Sequence, residues 1–249
     1  MAKSIRLAYS ICSACFTYIY PKKIHTGLLF MFRIKICGIT DPGDARTAIQ
    51  AGADAVGLNF YPASPRFIDS SQARRIREVL PPEIIKVGLF VNAEAKDVCR
   101  TCDEIPLDLI QLHGDETPEY IARLGNRTVM RAFRLGPEGL QPVFAYLEEC
   151  RQLGCVPKLV LLDALCQGIY GGTGKNADWS VCAQYPGHEG VPPLILAGGL
   201  TELNVGQAIE QVRPAGVDAA GGVESSPGRK DPAAVIAFVQ AARKAFVAF

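Results

Sequence analysis

From residue 33 onward the sequence alternates short, nearly continuous apolar runs with longer helix-forming ones, about eight times over. A strand that is apolar at consecutive positions is buried on both faces, which a parallel sheet covered by its own connecting helices provides. The strands are predicted at 33–37, 55–60, 85–91, 109–113, 128–133, 159–163, 194–197 and 216–219, with helices near 43–50, 71–80, 93–103, 118–124, 138–153, 179–184, 202–211 and 232–248. The connections carry the expected punctuation. Thr40-Asp41-Pro42 offers a capping side chain and a proline for the first helical turn, Gly52 stops that helix, and Pro81-Pro82 ends another. Eight strand–helix units allow the sheet to close on itself. The expected fold is therefore an α/β, single-domain TIM (β/α)8 barrel over 33–249, with a doubly wound open sheet as the alternative if a unit is miscounted.

Composition bounds the function. At 249 residues, 49% hydrophobic and 20% charged, the chain is long enough for one large core. A formal charge of +1 argues against nucleic acid or a membrane surface as partner. Nine cysteines, an odd number spread without a compact framework, point to free thiols in a reducing, cytoplasmic setting. Residues 1–32 differ from the rest, with Lys3, Arg6, Lys22 and Lys23, no acidic residue, and an apolar run over 7–20. Removing those four positive charges from +1 leaves −3 for the body. The run is too short and interrupted to span a membrane, and no convincing small-x-small cleavage site follows it. Met31 stands just before the first strand, so 1–32 is expected to be a disordered leader or the product of an upstream start, with a targeting segment as the alternative.

In parallel α/β folds, ligands meet the carboxyl ends of the strands. The polar residues there are Cys37, Asn59, Arg66, Asn92, His113, Arg134, Asp163 and Asp218. Cys37 ends the first strand, where a thiol is either a small core hydrophobe or a chemical group. Gly198-Gly199 and Gly221-Gly222 follow the last two strands, and paired glycines there let backbone N–H groups approach an anion, the usual place for a barrel phosphate site. The stretch 168–175 resembles a P-loop but fails its spacing, and Asn176 stands where a magnesium-binding hydroxyl belongs. It reads better as a cover over the site. Cys12-x-x-Cys15 and Cys99-x-x-Cys102 lie too far apart to make a zinc site, and no metal is expected. His113 is either a ligand contact or a satisfied structural histidine.

Together these residues resemble the phosphoribosylanthranilate isomerase family of tryptophan biosynthesis. The resemblance is carried by Lys35-Ile36-Cys37-Gly38, Gly57-Leu58-Asn59-Phe60 with Ser64-Pro65-Arg66, Val87-Gly88-Leu89-Phe90-Val91, Gln111-Leu112-His113-Gly114, Leu162-Asp163-Ala164 with Gly171-Gly172-Thr173-Gly174 and Asp178-Trp179, Ala197-Gly198-Gly199-Leu200, and Gly222-Val223-Glu224 with Pro227-Gly228. Each motif is weak alone, but their order spans nearly the whole body. The resemblance implies an aldose–ketose isomerisation of the Amadori type without a cofactor, on a small phosphorylated sugar–anthranilate, by a monomer or homodimer. It makes Asp163 the general acid and Cys37 the general base, sets Arg66 on the anthranilate carboxylate, and places Asp218 near the substrate amine; His113, at the end of its strand, is a candidate substrate contact beside them. One departure stands out: Ala220 and Gly221 occupy positions where the family usually carries serines.

The chemistry makes a demand on both groups. At neutral pH an ordinary carboxyl is ionised and an ordinary thiol protonated, each the wrong form for its role. The site is therefore expected to raise the pKa of Asp163, by burial under the 168–174 loop, and to lower that of Cys37, through Lys35 or Arg66. Two rival readings remain open. The related sugar isomerase of histidine biosynthesis needs anion loops on both halves of the barrel, and the segments after the third and fourth strands are poor for phosphate. A barrel that merely binds a phosphorylated ligand does not require both Cys37 and Asp163.

Overall fold

In the computed structural model, residues 31–164, 179–187 and 190–248 are described. Eight parallel strands close a barrel in sequence order, with β8 pairing back onto β1. They are β1 Ile34–Cys37, β2 Ala55–Asn59, β3 Ile85–Phe90, β4 Leu109–Leu112, β5 Val129–Arg134, β6 Leu159–Asp163, β7 Leu194–Ala197 and β8 Gly216–Ala219. Each is followed by a helix: α1 Pro42–Ala51, α2 Ser70–Arg77, α3 Ala95–Glu104, α4 Pro118–Arg123, α5 Gln141–Gln152, α6 Trp179–Cys182, α7 Val205–Val212 and α8 Pro232–Val247. The closed ring removes the open-sheet alternative. No helix among the described residues is long and apolar enough to cross a membrane.

Local chemistry sets these boundaries. Asp41 caps α1 by accepting from the backbone N–H groups of Gly43 and Asp44, and Gly52 closes the helix at φ 98°, a conformation that favours glycine. Asp69 and Gln72 form a reciprocal capping box at α2. Helix α7 begins later than its pattern suggests. Asn204 accepts from the Thr201 backbone N–H and donates to the Gly199 carbonyl, so 201–204 forms a turn that belongs to the glycine loop. Helix α5 also starts late, because Gly139 at φ 61° sends the chain through a left-handed turn first.

One feature has no counterpart in the predicted elements. After β8 the chain makes a 3₁₀ turn, Gly221–Val223, and a two-stranded antiparallel ribbon, β9 Glu224–Ser226 with β10 Arg229–Lys230. Strands of three and two residues are too short to leave a periodic signal, and Pro227-Gly228 reads only as a turn.

The strand period of two divides the barrel. Outward residues such as Ile34, Ile36, Val56, Leu58, Val160 and Leu162 pack against the helices. Inward residues form two zones. The lower one is apolar and filled by Phe32, Ala55, Val87, Leu109, Met130, Leu159 and Ile195. Above it the same faces turn polar, with Lys35 and Cys37 on β1, Asn59 on β2, Gln111 on β4, Asp163 ending β6 and Asp218 on β8.

Candidate active site

A cavity of about 620 Å³ opens over this polar layer at the carboxyl ends of the strands. Most of the residues singled out in the sequence line it: Cys37, Arg66, His113, Asp163, Asp218, and the glycines at 198, 199, 221 and 222. Asn59 and Arg134 join them. Asn92 does not. At φ 51° it turns into the neighbouring loop, giving its backbone N–H to Glu116 and its amide to Asp115.

Cys37 is buried, and glycine makes room for it: a side chain at Gly57 would place its Cβ 2.6 Å from the Cys37 sulfur. Lys35, two residues earlier on the same inward face, is fully buried and donates from Nζ to Asp218 Oδ2 at 2.8 Å. Burial pushes the Cys37 thiol above its ordinary value; Lys35 pulls it down and Asp218 pushes it up again. The expected lowering is thus not found. Lys35 is present as expected, but desolvation and the Asp218 carboxylate outweigh it.

Arg66 enters from the loop after β2 and lies 25% exposed against the cavity. Glu224 on β9 grips one edge of its guanidinium, accepting from Nε at 2.8 Å and Nη2 at 2.6 Å. That bidentate clamp fixes the plane and leaves Nη1 and the second N–H of Nη2 for a ligand. The hydrogen bonds with Glu224 raise the guanidinium pKa above its ordinary value. Lys230 on β10, its side chain fully buried, reaches the same carboxylate at 2.7 Å and the Ala220 carbonyl at 3.1 Å. Burial alone would push Glu224 up, yet Arg66 and Lys230 hold it below the usual range. The ribbon thus ties the Arg66 site to the loop after β8.

His113 lies one residue beyond β4, its N–H continuing the ladder to the Phe90 carbonyl at 2.9 Å. Its Nδ1 is 3.3 Å from the Gln111 amide nitrogen and its Nε2 is 3.7 Å from Asp163 Oδ2. With Gln111 donating to Nδ1, the ring proton sits on Nε2 and faces the Asp163 carboxyl. Burial, then Arg134, Lys35 and Arg131, pull the His113 pKa down to about 4, so the ring is neutral at pH 7. The 168–174 loop expected to cover Asp163 lies outside the described residues.

Gly198 and Gly199 adopt φ of 96° and 64°, and a Cβ at Gly222 would collide with the Leu200 carbonyl oxygen. At Gly222 the two loops approach closer than a side chain allows, so backbone alone lines this end of the cavity, an arrangement able to receive an anion.

Sequence reasoning missed the partners. Glu224 lies 158 residues from Arg66, and nothing in the linear text pairs them. Lys35 did leave a signal: a lysine at an inward position of the strand Ile34–Cys37 needs a buried counter-charge.

A barrel with a thiol, a carboxyl and a guanidinium facing a backbone anion cradle is an acid–base isomerase or lyase type of site for a small phosphorylated substrate. The comparisons narrow the class. A sequence model of the N-(5′-phosphoribosyl)anthranilate isomerase family matches residues 34–241, and the chain belongs to that family, the isomerases of tryptophan biosynthesis. It is 47% identical over 218 residues to N-(5′-phosphoribosyl)anthranilate isomerase of Trichlorobacter lovleyi, covering 86% of this chain and 100% of that one. The crystal structure of phosphoribosyl anthranilate isomerase from Thermotoga maritima superposes with a TM-score of 0.75 at 38% identity, over 86% of this chain and 99% of that one. A further structure of such an isomerase, in complex with reduced 1-(o-carboxyphenylamino)-1-deoxyribulose 5-phosphate, matches with a TM-score of 0.72 at 36% identity, covering 86% and 99%.

Proposed function

We propose that this protein catalyses the Amadori rearrangement of N-(5′-phosphoribosyl)anthranilate to 1-(2-carboxyphenylamino)-1-deoxyribulose 5-phosphate. Asp163 protonates the ring oxygen as the C1–O bond breaks, and the anilino nitrogen's lone pair forms the C=N bond. Cys37 then takes the proton from C2, and the electrons return to nitrogen through a C1=C2 enol that tautomerises to the ketone. Arg66 receives the anthranilate carboxylate on the donors Glu224 leaves open, and the Gly198-Gly199 and Gly221-Gly222 loops receive the phosphate. His113 and Asp218 contact the substrate between them. No step calls for a metal or cofactor.

The observation that supports this reading best is the sharing of one cavity by Cys37, Asp163, Arg66 and both glycine loops, brought from β1, β6, the β2 loop and the ends of β7 and β8. Anthranilate fluorescence supplies the test. Purified protein should turn over the phosphoribosyl substrate in the presence of a chelator, with inorganic phosphate inhibiting competitively. Folded protein that produces no fluorescence change would remove the reading.

A further inference from the structure

The proposed scheme gives Asp218 a substrate contact but no role to Lys35, the buried lysine paired with it. Lys35 lies directly opposite Asp218 in the β1–β8 register, and both are buried. An interior ion pair contributes little net stability, because desolvating two charges offsets their attraction, and apolar residues of the same volume often serve as well. Yet Lys35 replaces what the rest of its strand is made of, Ile34 and Ile36. Immediately above it on the same face is the Cys37 thiol. Asp218 uses only Oδ2 for Lys35; its Oδ1 is buried without a hydrogen-bond partner in a residue that lines the cavity. A buried acceptor without a donor calls for one from the ligand.

Three cations, Lys35, Arg66 and Lys230, act electrostatically on Cys37, and two carboxylates hold them. Lys35, from the same strand, is held by Asp218 of β8. Arg66, from the β2 loop, and Lys230, from β10, are both held by Glu224 of β9. Glu224 has both oxygens engaged: Oε1 accepts from Arg66 and Lys230, and Oε2 accepts from Arg66. Of these two carboxylates, Asp218 is the one with an oxygen that has no donor at all among the described residues, so its pairing is the one a ligand can loosen.

Building on the reading of Cys37 as the base, we infer that Lys35 is the positioning residue that makes it one, and that Asp218 restrains Lys35 until a cationic nitrogen of the ring-opened substrate takes the free Asp218 oxygen. Ring opening moves the Asp163 proton to the ring oxygen and leaves the positive charge on nitrogen, one bond from C1 and two from the carbon that Cys37 deprotonates. That charge lies within reach of the residues around Cys37. As Asp218 turns to it, the Lys35 ammonium is left facing the sulfur, and the thiol proton is released to water. The thiolate takes the C2 proton and becomes a thiol again, while the electron pair neutralises the nitrogen. Protonation of C1 from water and loss of the enol proton complete the ketone, and Asp163 recovers from water the proton that Cys37 released. The base is thus switched on after the acid has acted, in keeping with a thiol held high by burial, with Lys35 and Asp218 opposing each other.

Alkylation of ligand-free full-length protein by iodoacetamide tests the Lys35–Asp218 control without any turnover. Cys37 modification is followed by peptide mass spectrometry across pH 6 to 10, which separates it from the other cysteines. Asp218→Asn leaves the Lys35 charge unopposed, so the Cys37 midpoint should fall by about one unit. The thiolate fraction at pH 7 then rises about tenfold, and its lower basicity removes about threefold of that, for a net gain of roughly threefold in rate. Lys35→Met should move the midpoint the other way. Should that variant not fold, Lys35→Met with Asp218→Asn removes both charges together and should lie above Asp218→Asn alone. In turnover, the acid limb of kcat/KM for Asp218→Asn should shift to lower pH. An unchanged Cys37 midpoint in folded Asp218→Asn, judged by far-UV circular dichroism, overturns the inference and leaves the isomerase reading intact. Absent turnover with shifted midpoints does the reverse.

Discussion

His113→Gln should flatten the acid limb of the protein's stability. In the folded protein the imidazole is buried between Gln111 and Asp163, with Arg134, Lys35 and Arg131 nearby, and its pKa falls from 6.5 to about 4. The unfolded chain therefore takes up a proton that the folded one refuses. Stability from this group is complete above pH 6.5 and is lost as the pH falls toward 4. A shift of that size corresponds to about 3 kcal/mol once both pKa values are passed, most of it already lost by pH 4.5. The side chain is 18% exposed, so solvent screens the effect little. Urea unfolding at pH 7.5 and 4.5 would measure it. Wild-type protein should lose about 2.5 kcal/mol more between these conditions than His113→Gln, whose amide does not titrate. Carboxylates that destabilise both proteins in acid cancel in the difference. Parallel losses in the two proteins would show that His113 titrates normally, and the neutral ring facing Asp163 would have to be abandoned. The neutrality matters for chemistry, because an imidazolium 3.7 Å from Asp163 would stabilise its carboxylate and oppose its service as an acid.

Arg66→Ala should raise KM by about tenfold or more while changing kcat little, since the carboxylate it is proposed to hold is unaltered in the reaction; steady-state kinetics with unchanged KM would reject the role. Cys37→Ser and Asp163→Asn should each lower kcat by roughly 10²-fold with the fold retained, and near-normal turnover of Cys37→Ser would return Cys37 to the status of a core thiol. We propose that residues 1–30 are dispensable to the catalytic barrel, because the family match starts at 34 and Met31 and Phe32 already meet the lower core. Protein beginning at Met31 should keep its melting temperature and activity, and a fall of more than about 4 °C would contradict this.

The barrel was legible in the sequence because each strand had to be apolar on its outward face, and the helices between carried their own caps and stops. The site was legible for a related reason. Polar residues at the carboxyl ends of apolar strands have no packing role there, so Cys37, Asp163 and Asp218 stood out, as did the doubled glycines. What stayed hidden depends on distance in space. Lys35 and Asp218 are 183 residues apart, and whether a lysine activates a thiol or is cancelled by a carboxylate is decided by which of them is nearer in the fold. The direction of the Cys37 shift was misjudged for that reason. The sequence supplied the cation but not the depth of burial or the counter-charge. Likewise the ribbon after β8 was invisible as secondary structure, although it carries the Glu224 that orients Arg66.

Ala220, where the resemblance implies a hydroxyl residue, fits the geometry of these loops. Gly222 is pressed against the Leu200 carbonyl, and a Cβ at Gly221 would meet Arg66 Nη2 at 3.2 Å. Asn204 pins the Gly199 carbonyl from below, and Lys230 pins that of Ala220. Both loops are thus fixed by bonds to their carbonyls, and the N–H groups at the opposite ends of those peptides are the donors proposed for the phosphate. A cradle of this kind is set by backbone position and not by hydroxyl content. Ala220 needs only to keep its carbonyl on Lys230, which any L-residue can do. The same lysine reaches Glu224, and Glu224 reaches Arg66, so the grip proposed for the phosphate and the grip proposed for the carboxylate are parts of one rigid unit. In the proposed reaction such a unit would hold the substrate at both ends while Cys37 acts on C2 and Asp163 on the ring oxygen between them.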